Sequence, residues 1–123
     1  MVCILIVEDE NPIREVITEI LEEEGYRVAS ATNGLEALTY LQQHAHPHLI
    51  LLDLGMPIMT GWEFREHQQR DLSLANIPVV VMSALPDLPR KAAALNVADC
   101  LDKPVNLDTL LGTVARYVSA GDS

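Results

Sequence analysis

The sequence predicts an α/β fold, a parallel sheet with helices packed on both faces. Three observations predict it. Five short apolar runs alternate strictly with five segments of helical spacing. The first, third and fourth runs are apolar at successive residues rather than at every second one, as expected of strands buried on both sides. Acidic and other polar residues halt these runs, and right-handed crossovers between parallel strands gather those ends along one edge of the sheet.

Val2–Val7 is the first run, stopped by Glu8, Asp9 and Glu10. Asn11 and Pro12 then open a helix, because proline's fixed φ and missing N–H are tolerated in a first turn. Ile13, Val16, Ile17, Ile20 and Leu21 recur on its inward face, with Glu15, Glu19, Glu22 and Glu23 opposite, until Gly25 ends the pattern. Tyr26–Ser30 is the second strand. Asn33 and Glu36 are spaced as a capping pair for a helix carrying Leu38 and Leu41. His48–Leu52 is the third strand, ending at Asp53, and Thr60 with Glu63 repeats the capping spacing before a helix to Arg70. Ile77–Met82 is the fourth strand, ending at Ser83. Pro86 and Pro89 bound a short helix around Arg90–Leu95, and Ala98–Leu101 is a small fifth strand. Asn106 starts the last helix, with Leu107, Leu110, Leu111, Val114 and Val118 inward and only Ser119–Ser123 after it. Residues 1–123 read as a single domain, without linker, repeat or low-complexity segment.

A chain of 123 residues buries roughly two-thirds of its unfolded surface, so its core needs neither disulfide nor structural metal. Eight basic against eighteen acidic residues give a net charge of -10, which repels nucleic acid and anionic membranes. No apolar run reaches the length of a membrane span and no basic flank precedes the first one, so the expected location is the cytoplasm. Cys3 and Cys100 lie far apart in apolar segments and are expected to be buried free thiols.

The strand ends carry the chemistry. Glu8 and Asp9 follow the first strand, Asp53 the third, Ser83 the fourth and Lys103 the fifth. Each alone reads as a turn, cap or solvated residue. Together, three carboxylates within about 4 Å repel by roughly 4 kcal/mol per pair at an effective dielectric near 20, and a compensating cation is required. Oxygen donors without histidine or cysteine suit Mg²⁺ and not zinc, and Lys103 adds a further positive charge.

These residues sit within four ordered segments, ILIVEDEN at Ile4–Asn11, LLDLGMPIMTG at Leu51–Gly61, VVMSA at Val80–Ala84 and ADCLDKPV at Ala98–Val105. Over essentially its whole length the chain resembles the receiver domain of two-component response regulators, of the chemotaxis-receiver type. The resemblance implies a five-stranded sheet of order 2-1-3-4-5 with five helices, a flavodoxin-like three-layer sandwich. It implies that Asp53 accepts a phosphoryl group from a sensor histidine kinase, a histidine phosphotransfer protein or a small acyl phosphate. Mg²⁺ is then held by Asp9, Asp53 and the Gly55 carbonyl, with Glu8 acting through water. Lys103 pairs with the phosphoryl oxygens, Ser83 donates its hydroxyl to them, and small Ala84 leaves room for the group to arrive. The Lys103–Pro104 bond is implied to be cis. Such a protein is a signalling switch rather than an enzyme, catalysing only its own phosphorylation and slow dephosphorylation and passing the signal to a downstream protein target, with phosphorylation-dependent dimerisation one route.

Two departures from the family pattern concern the output. The strand-five position that carries an aromatic switch residue in the family holds Cys100, and the Ser83–Lys103 segment is a little short, which implies a shortened or repositioned fourth helix. Output through a dimer or through the first helix fits that change. Gly55 and Leu85, at positions that tune phosphoryl lifetime in the family, supply no polar group to orient water, so self-dephosphorylation is expected to be slow.

Other signals read as structural. His44, His46 and His48 are expected in a solvated loop away from Asp53, Trp62 half-buried over the third helix, and Met56, Met59 and Met82 in loop and core packing. Arg14 and Ile17 on the first helix are candidates to face a kinase, with core packing the competing reading of Ile17. A dehalogenase-type phosphatase needs a second aspartate where Gly55 stands, and a flavin-binding phosphate loop is opposed by Glu8, Asp9 and Glu10. A receiver-like binding module that works without phosphorylation remains the alternative.

Overall fold

The computed structural model describes residues 2–56, 58–86 and 88–121, with side chains of the last helix described as far as Val118. Pro57 of the loop segment, and Asp122 and Ser123 at the end, lie outside the described residues. Five strands, β1 (Cys3–Val7), β2 (Arg27–Ala31), β3 (Leu49–Asp53), β4 (Val79–Ser83) and β5 (Asp99–Asp102), alternate with five helices. The helices are α1 (Asn11–Glu23), α2 (Gly34–Gln43), α3 (Gly61–Arg70), α4 (Leu88–Ala94) and α5 (Leu107–Gly121). The sheet is parallel, as the apolar runs predict, with order β2-β1-β3-β4-β5, as the resemblance implies.

The unbroken apolar runs follow from having two cores. Successive strand residues point to opposite faces, so Leu5, Val7, Ile50, Leu52, Val79 and Val81 pack with Ala37, Leu41, Phe64 and Leu88 of α2, α3 and α4. Ile4, Ile6, Leu49, Leu51, Val80 and Met82 pack with Ile17, Leu21, Leu110, Val114 and Val118 of α1 and α5. Ile17 is therefore a core residue. Trp62 is half-buried against the first of these cores, and Met56 and Met82 are buried, as expected. Among the described residues no helix is long and apolar enough to cross a membrane.

The helix signals act where the sequence places them. Pro12 lies in the first turn of α1, and Gly25 takes φ +92° just beyond its end, a conformation that glycine adopts without strain. The Asn33 side chain accepts from the Glu36 N–H at 2.9 Å, while the Glu36 carboxylate turns to the Thr32 amide and hydroxyl. Thr60 and Glu63 form a reciprocal capping box. Asn106 accepts from the Thr109 N–H at 3.0 Å.

Several expectations are corrected. The strands are offset by one or two residues from the predicted ranges, leaving Tyr26, His48 and Ile77 outside them. Pro89 does not bound α4 but sits in its first turn, where no intrahelical N–H is required of it. The α5 helix continues through Ser119 to Gly121, since nothing in that segment breaks an established helix. Val16 and Leu107 are exposed rather than inward, on the rim of a shallow apolar groove with Ile13, Pro104 and Val105. Cys3 and Cys100 are free but only half-buried. His48 is no solvated loop residue, because its Nδ1 accepts the Cys3 N–H at 3.2 Å while its own N–H donates to the Cys3 carbonyl. His44 and His46 are exposed in the α2–β3 loop, as expected, with His44 stacked on Tyr40.

Ile58 is the strained residue of the β3–α3 loop, with φ +69° and 77% exposure. A β-branched side chain is costly in this left-handed conformation, and so exposed a side chain regains little by packing. Ile58→Asn is expected to stabilise the fold by about 1 kcal/mol, read as a higher urea midpoint at unchanged m-value. A lower midpoint would mean that the isoleucine contributes contacts worth more than its strain.

Candidate functional site

The parallel order carries the ends of β1, β3, β4 and β5 to one edge of the sheet, and each places a polar side chain there. Asp53 ends β3 and is 5% exposed. Its carboxylate accepts the Gly55 N–H at 3.2 Å. Next to it β1 runs out into Glu8, fully buried, then half-buried Asp9 and exposed Glu10, and one carboxylate oxygen from each of these three lies within 4.8 Å of the others. Ser83 ends β4, almost fully buried, and its carbonyl takes the Lys103 N–H at 2.9 Å. Lys103 follows β5 with a cis bond to Pro104, as the resemblance implies.

The side chains converge. Lys103 Nζ lies 2.8 and 3.1 Å from the two Glu8 oxygens and 3.4 Å from Asp53 Oδ1. Asp53 also faces the carboxyls of Glu8 and Asp9. A cavity of about 300 Å³ opens over Asp53, lined by Glu10, Gly55, Ser83, Ala84 and Lys103 among others. The Ser83 hydroxyl accepts the Leu85 N–H at 3.0 Å, which leaves its own proton available to a group in that cavity. Sequence reasoning gave Glu10 no role, although its place after Glu8 and Asp9 signalled one. Arg14 turns inward: its guanidinium donates to the Glu8 carbonyl at 2.8 Å and to the Asn11 side chain, bracing the acidic loop.

The electrostatics are those of an undercompensated acidic cluster. Burial, then contact with Asp53, pushes Glu8 from 4.5 up to about 7, with Lys103 pulling the other way. Asp9 is raised for the same two reasons in the same order. Burial alone would lower Lys103, yet Glu8 and Asp53 hold it above its ordinary value. One ammonium therefore does not offset the carboxylates around it. Oxygen donors crowded this closely, with raised carboxyl pKa values and no histidine or cysteine among them, fit a hard divalent cation such as Mg²⁺.

The packing that fixes Asp53 is equally specific. Gly61, the first residue of α3, donates its N–H to the Leu54 carbonyl at 3.1 Å. A Cβ on Gly61 would lie 2.5 Å from the Asp53 carbonyl oxygen and 2.8 Å from Leu54 Cα. The helix can start against the end of β3 only because residue 61 has no side chain.

Comparison with known proteins agrees with this geometry. Residues 4–115 match the family described as the response regulator receiver domain. Sporulation initiation phosphotransferase F of Bacillus subtilis is 32% identical over 117 residues, covering 94% of this chain and 92% of that protein. The signal receiver domain of a signal transduction histidine kinase from Syntrophus aciditrophicus superposes with a TM-score of 0.90 at 32% identity, over 98% of this chain and 92% of that one. The response regulator TrrA of Thermotoga maritima, solved in complex with Mg²⁺ and BeF, gives a TM-score of 0.83 at 29% identity, over 95% and 99% of the two chains. With sequence, topology and the acidic strand-end cluster in agreement, the chain belongs to the response regulator receiver family, the phosphoryl-accepting modules of two-component signalling.

Proposed function

We propose that Asp53 is the phosphoryl acceptor and that the chain works as a single receiver domain over residues 1–123. The observation that carries this reading is the placement of Asp53 at the floor of the cavity, with Lys103 Nζ 3.4 Å from its carboxylate and the Ser83 hydroxyl in the same lining. The donor is a phosphohistidine on a sensor kinase or phosphotransfer protein, or a small acyl phosphate. An Asp53 oxygen attacks phosphorus, a P–O bond forms, the P–N bond breaks, and its electron pair returns to the donor imidazole. Little covalent machinery is required beyond alignment and charge neutralisation. Lys103 pairs with the equatorial oxygens and Ser83 donates its proton to one of them. Ala84 keeps the approach open, and the Gly55 amide orients the attacking carboxylate.

Asp9, Asp53 and the Gly55 carbonyl would hold Mg²⁺, with Glu8 and Glu10 contributing negative charge beside them; when bound, the ion would supply charge neutralisation for the carboxylates and the incoming phosphoryl group. That TrrA was solved with Mg²⁺ and BeF supports Mg²⁺ as the ion. Gly55 and Leu85 offer no polar side chain to an attacking water, so the acyl phosphate is slow to hydrolyse. The output is a change in binding to a protein target, with phosphorylation-dependent dimerisation one form of it, in the cytoplasm and without direct contact to nucleic acid or membrane.

Intact mass after incubation with acetyl phosphate and Mg²⁺ tests this, with a gain of one phosphoryl group expected and none in chelator. Cys100 in place of an aromatic residue and an α4 of only seven residues favour a second reading, a module that binds its target without phosphorylation. No mass gain, together with amide spectra unmoved by beryllofluoride and Mg²⁺, would select that reading.

A further inference from the structure

Asp9 lies in the middle of the three-residue loop, Glu8 to Glu10, that joins β1 to α1. The Glu8 N–H is tied to the Ala31 carbonyl of β2 at 3.0 Å. Beyond that point Arg14 supplies the anchors. Its own N–H donates to the Glu10 carbonyl at 3.0 Å and its guanidinium donates to the Glu8 carbonyl at 2.8 Å, so the carbonyls on either side of Asp9 are bonded to one residue. Any residue but proline at position 14 brings the amide, whereas the second bond needs a long side chain that donates. The other Nη donates to the Asn11 side chain, which fixes the direction of the guanidinium fork. Among the described residues Arg14 forms no ion pair, and the Glu10 side chain, at the N-cap position of α1, makes no cap bond. The cation is therefore directed at the main chain of the loop rather than at its carboxylates.

We propose that Arg14 is a positioning residue for the cation site: by holding the carbonyls on both sides of Asp9 it sets the direction in which that carboxylate is presented, and with it the affinity for Mg²⁺. The peptide unit joining Glu8 to Asp9 is planar, so fixing the Glu8 carbonyl fixes the plane from which the Asp9 backbone departs. Asp9 is half-buried where Glu8 is fully buried, so its direction rests on the backbone more than on packing. Charge argues the other way. A guanidinium beside a cation site repels the ion, so a role through charge weakens binding where a role through geometry strengthens it. The two accounts predict opposite signs when the guanidinium is removed. The proposal rests on Mg²⁺ binding at Asp9 and adds to it the residue that sets its strength.

Mg²⁺ titration of the full chain, followed by the amide shifts of Asp9 and Gly55, tests it. In Arg14→Met, which keeps a long side chain and removes its charge and donors, the Kd for Mg²⁺ is expected to rise about tenfold, as when a group that orients a metal ligand is lost. Arg14→Lys keeps the charge but has no fork to bridge the Glu8 carbonyl and Asn11, and its Kd is expected to rise by less. Phosphoryl uptake from acetyl phosphate is expected to slow in both variants at limiting Mg²⁺ and to recover at saturating Mg²⁺. Urea unfolding in chelator is the control for stability. An unchanged Kd in a folded Arg14→Met overturns the proposal and leaves Arg14 a structural role only, and a lower Kd overturns it in favour of charge. Where neither variant folds, Asn11→Ala, at an exposed position, removes the second anchor of the guanidinium. A raised Kd is expected there too, and an unchanged one overturns the proposal. No response of the native protein to Mg²⁺ overturns it together with the metal reading, whereas Mg²⁺ binding without a gain in mass removes only the reading of Asp53 as phosphoryl acceptor.

Discussion

Asp53→Asn is expected to take up no phosphoryl group from acetyl phosphate and, in chelator at pH 8, to be more stable than the native protein. The first effect follows from the nucleophile, since an amide has no anionic oxygen to attack phosphorus. The second follows from the crowding around it. Glu8 is raised to about 7 by burial and then by Asp53, and its ordinary value is 4.5. Between those two values the folded protein keeps a proton that the unfolded chain has released. Stability is therefore fully present below about 4.5 and is lost as the pH rises through about 7. Asp9 is shifted in the same direction. An asparagine at position 53 removes the like charge but leaves Lys103 its 2.8 Å bond to Glu8. The gain at pH 8 should be about 1–2 kcal/mol, the worth of roughly one pKa unit on Glu8, and should shrink at pH 4. Urea unfolding at the two pH values measures it, and equal gains at both would show that Asp53 does not act through charge. Added Mg²⁺ is expected to reverse the order, because it stabilises the native carboxylates more than the variant.

Gly61→Ala is expected to destabilise the protein by about 3 kcal/mol, the upper range for forcing a methyl into a filled space. The new Cβ would meet the Asp53 carbonyl oxygen at 2.5 Å and Leu54 Cα at 2.8 Å. Both are backbone atoms at the end of β3, a central strand paired to β1 and β4, so neither can yield without disturbing the sheet. Either α3 lifts away or Asp53 shifts, and both outcomes slow phosphoryl uptake as well as weakening the fold. Gly112 is the internal control. A Cβ there meets nothing within 4 Å, and the residue lies within α5. Alanine at 112 is expected to stabilise by up to about 1 kcal/mol through helix propensity. Thermal unfolding of the two variants beside the native chain checks both signs, and similar shifts would remove the steric account of Gly61.

The central strands were legible because a strand with two covered faces writes an uninterrupted apolar run, as Ile4–Val7, Leu49–Leu52 and Val79–Met82 do. The caps at Asn33, Thr60 and Asn106 were legible because they depend on neighbours three residues away. Glu8, Asp9, Asp53, Ser83 and Lys103 could be assembled because parallel topology alone brings strand ends together. Helical spacing, in contrast, names a stripe without its width, and Val16 and Leu107 lie just past the edge of what the sheet covers. Arg65 and Gln68 left no signal at all. Their partners lie 30 and 31 residues away for Arg65, and only the finished fold brings the open carbonyls of Leu95 and Asn96 to them. The bracing of the Glu8 carbonyl by Arg14 left no signal for the same reason, since that carbonyl is presented by the turn out of β1.

The strand order leaves β2 and β5 each with one unpaired side, and an unpaired strand edge is where β-proteins recruit further copies of themselves into fibrils. These two edges are poor templates. Both are short, β2 opens on exposed Arg27, and β5 begins and ends with aspartate, so stacking one β5 on another sets Asp99 and Asp102 against their own kind. The net charge of -10 extends that repulsion over the whole surface at neutral pH. The repulsion from net charge vanishes near the isoelectric point of about 4.6, which makes mild acid, rather than heat at neutral pH, the condition under which this sheet is most open to growing beyond one molecule.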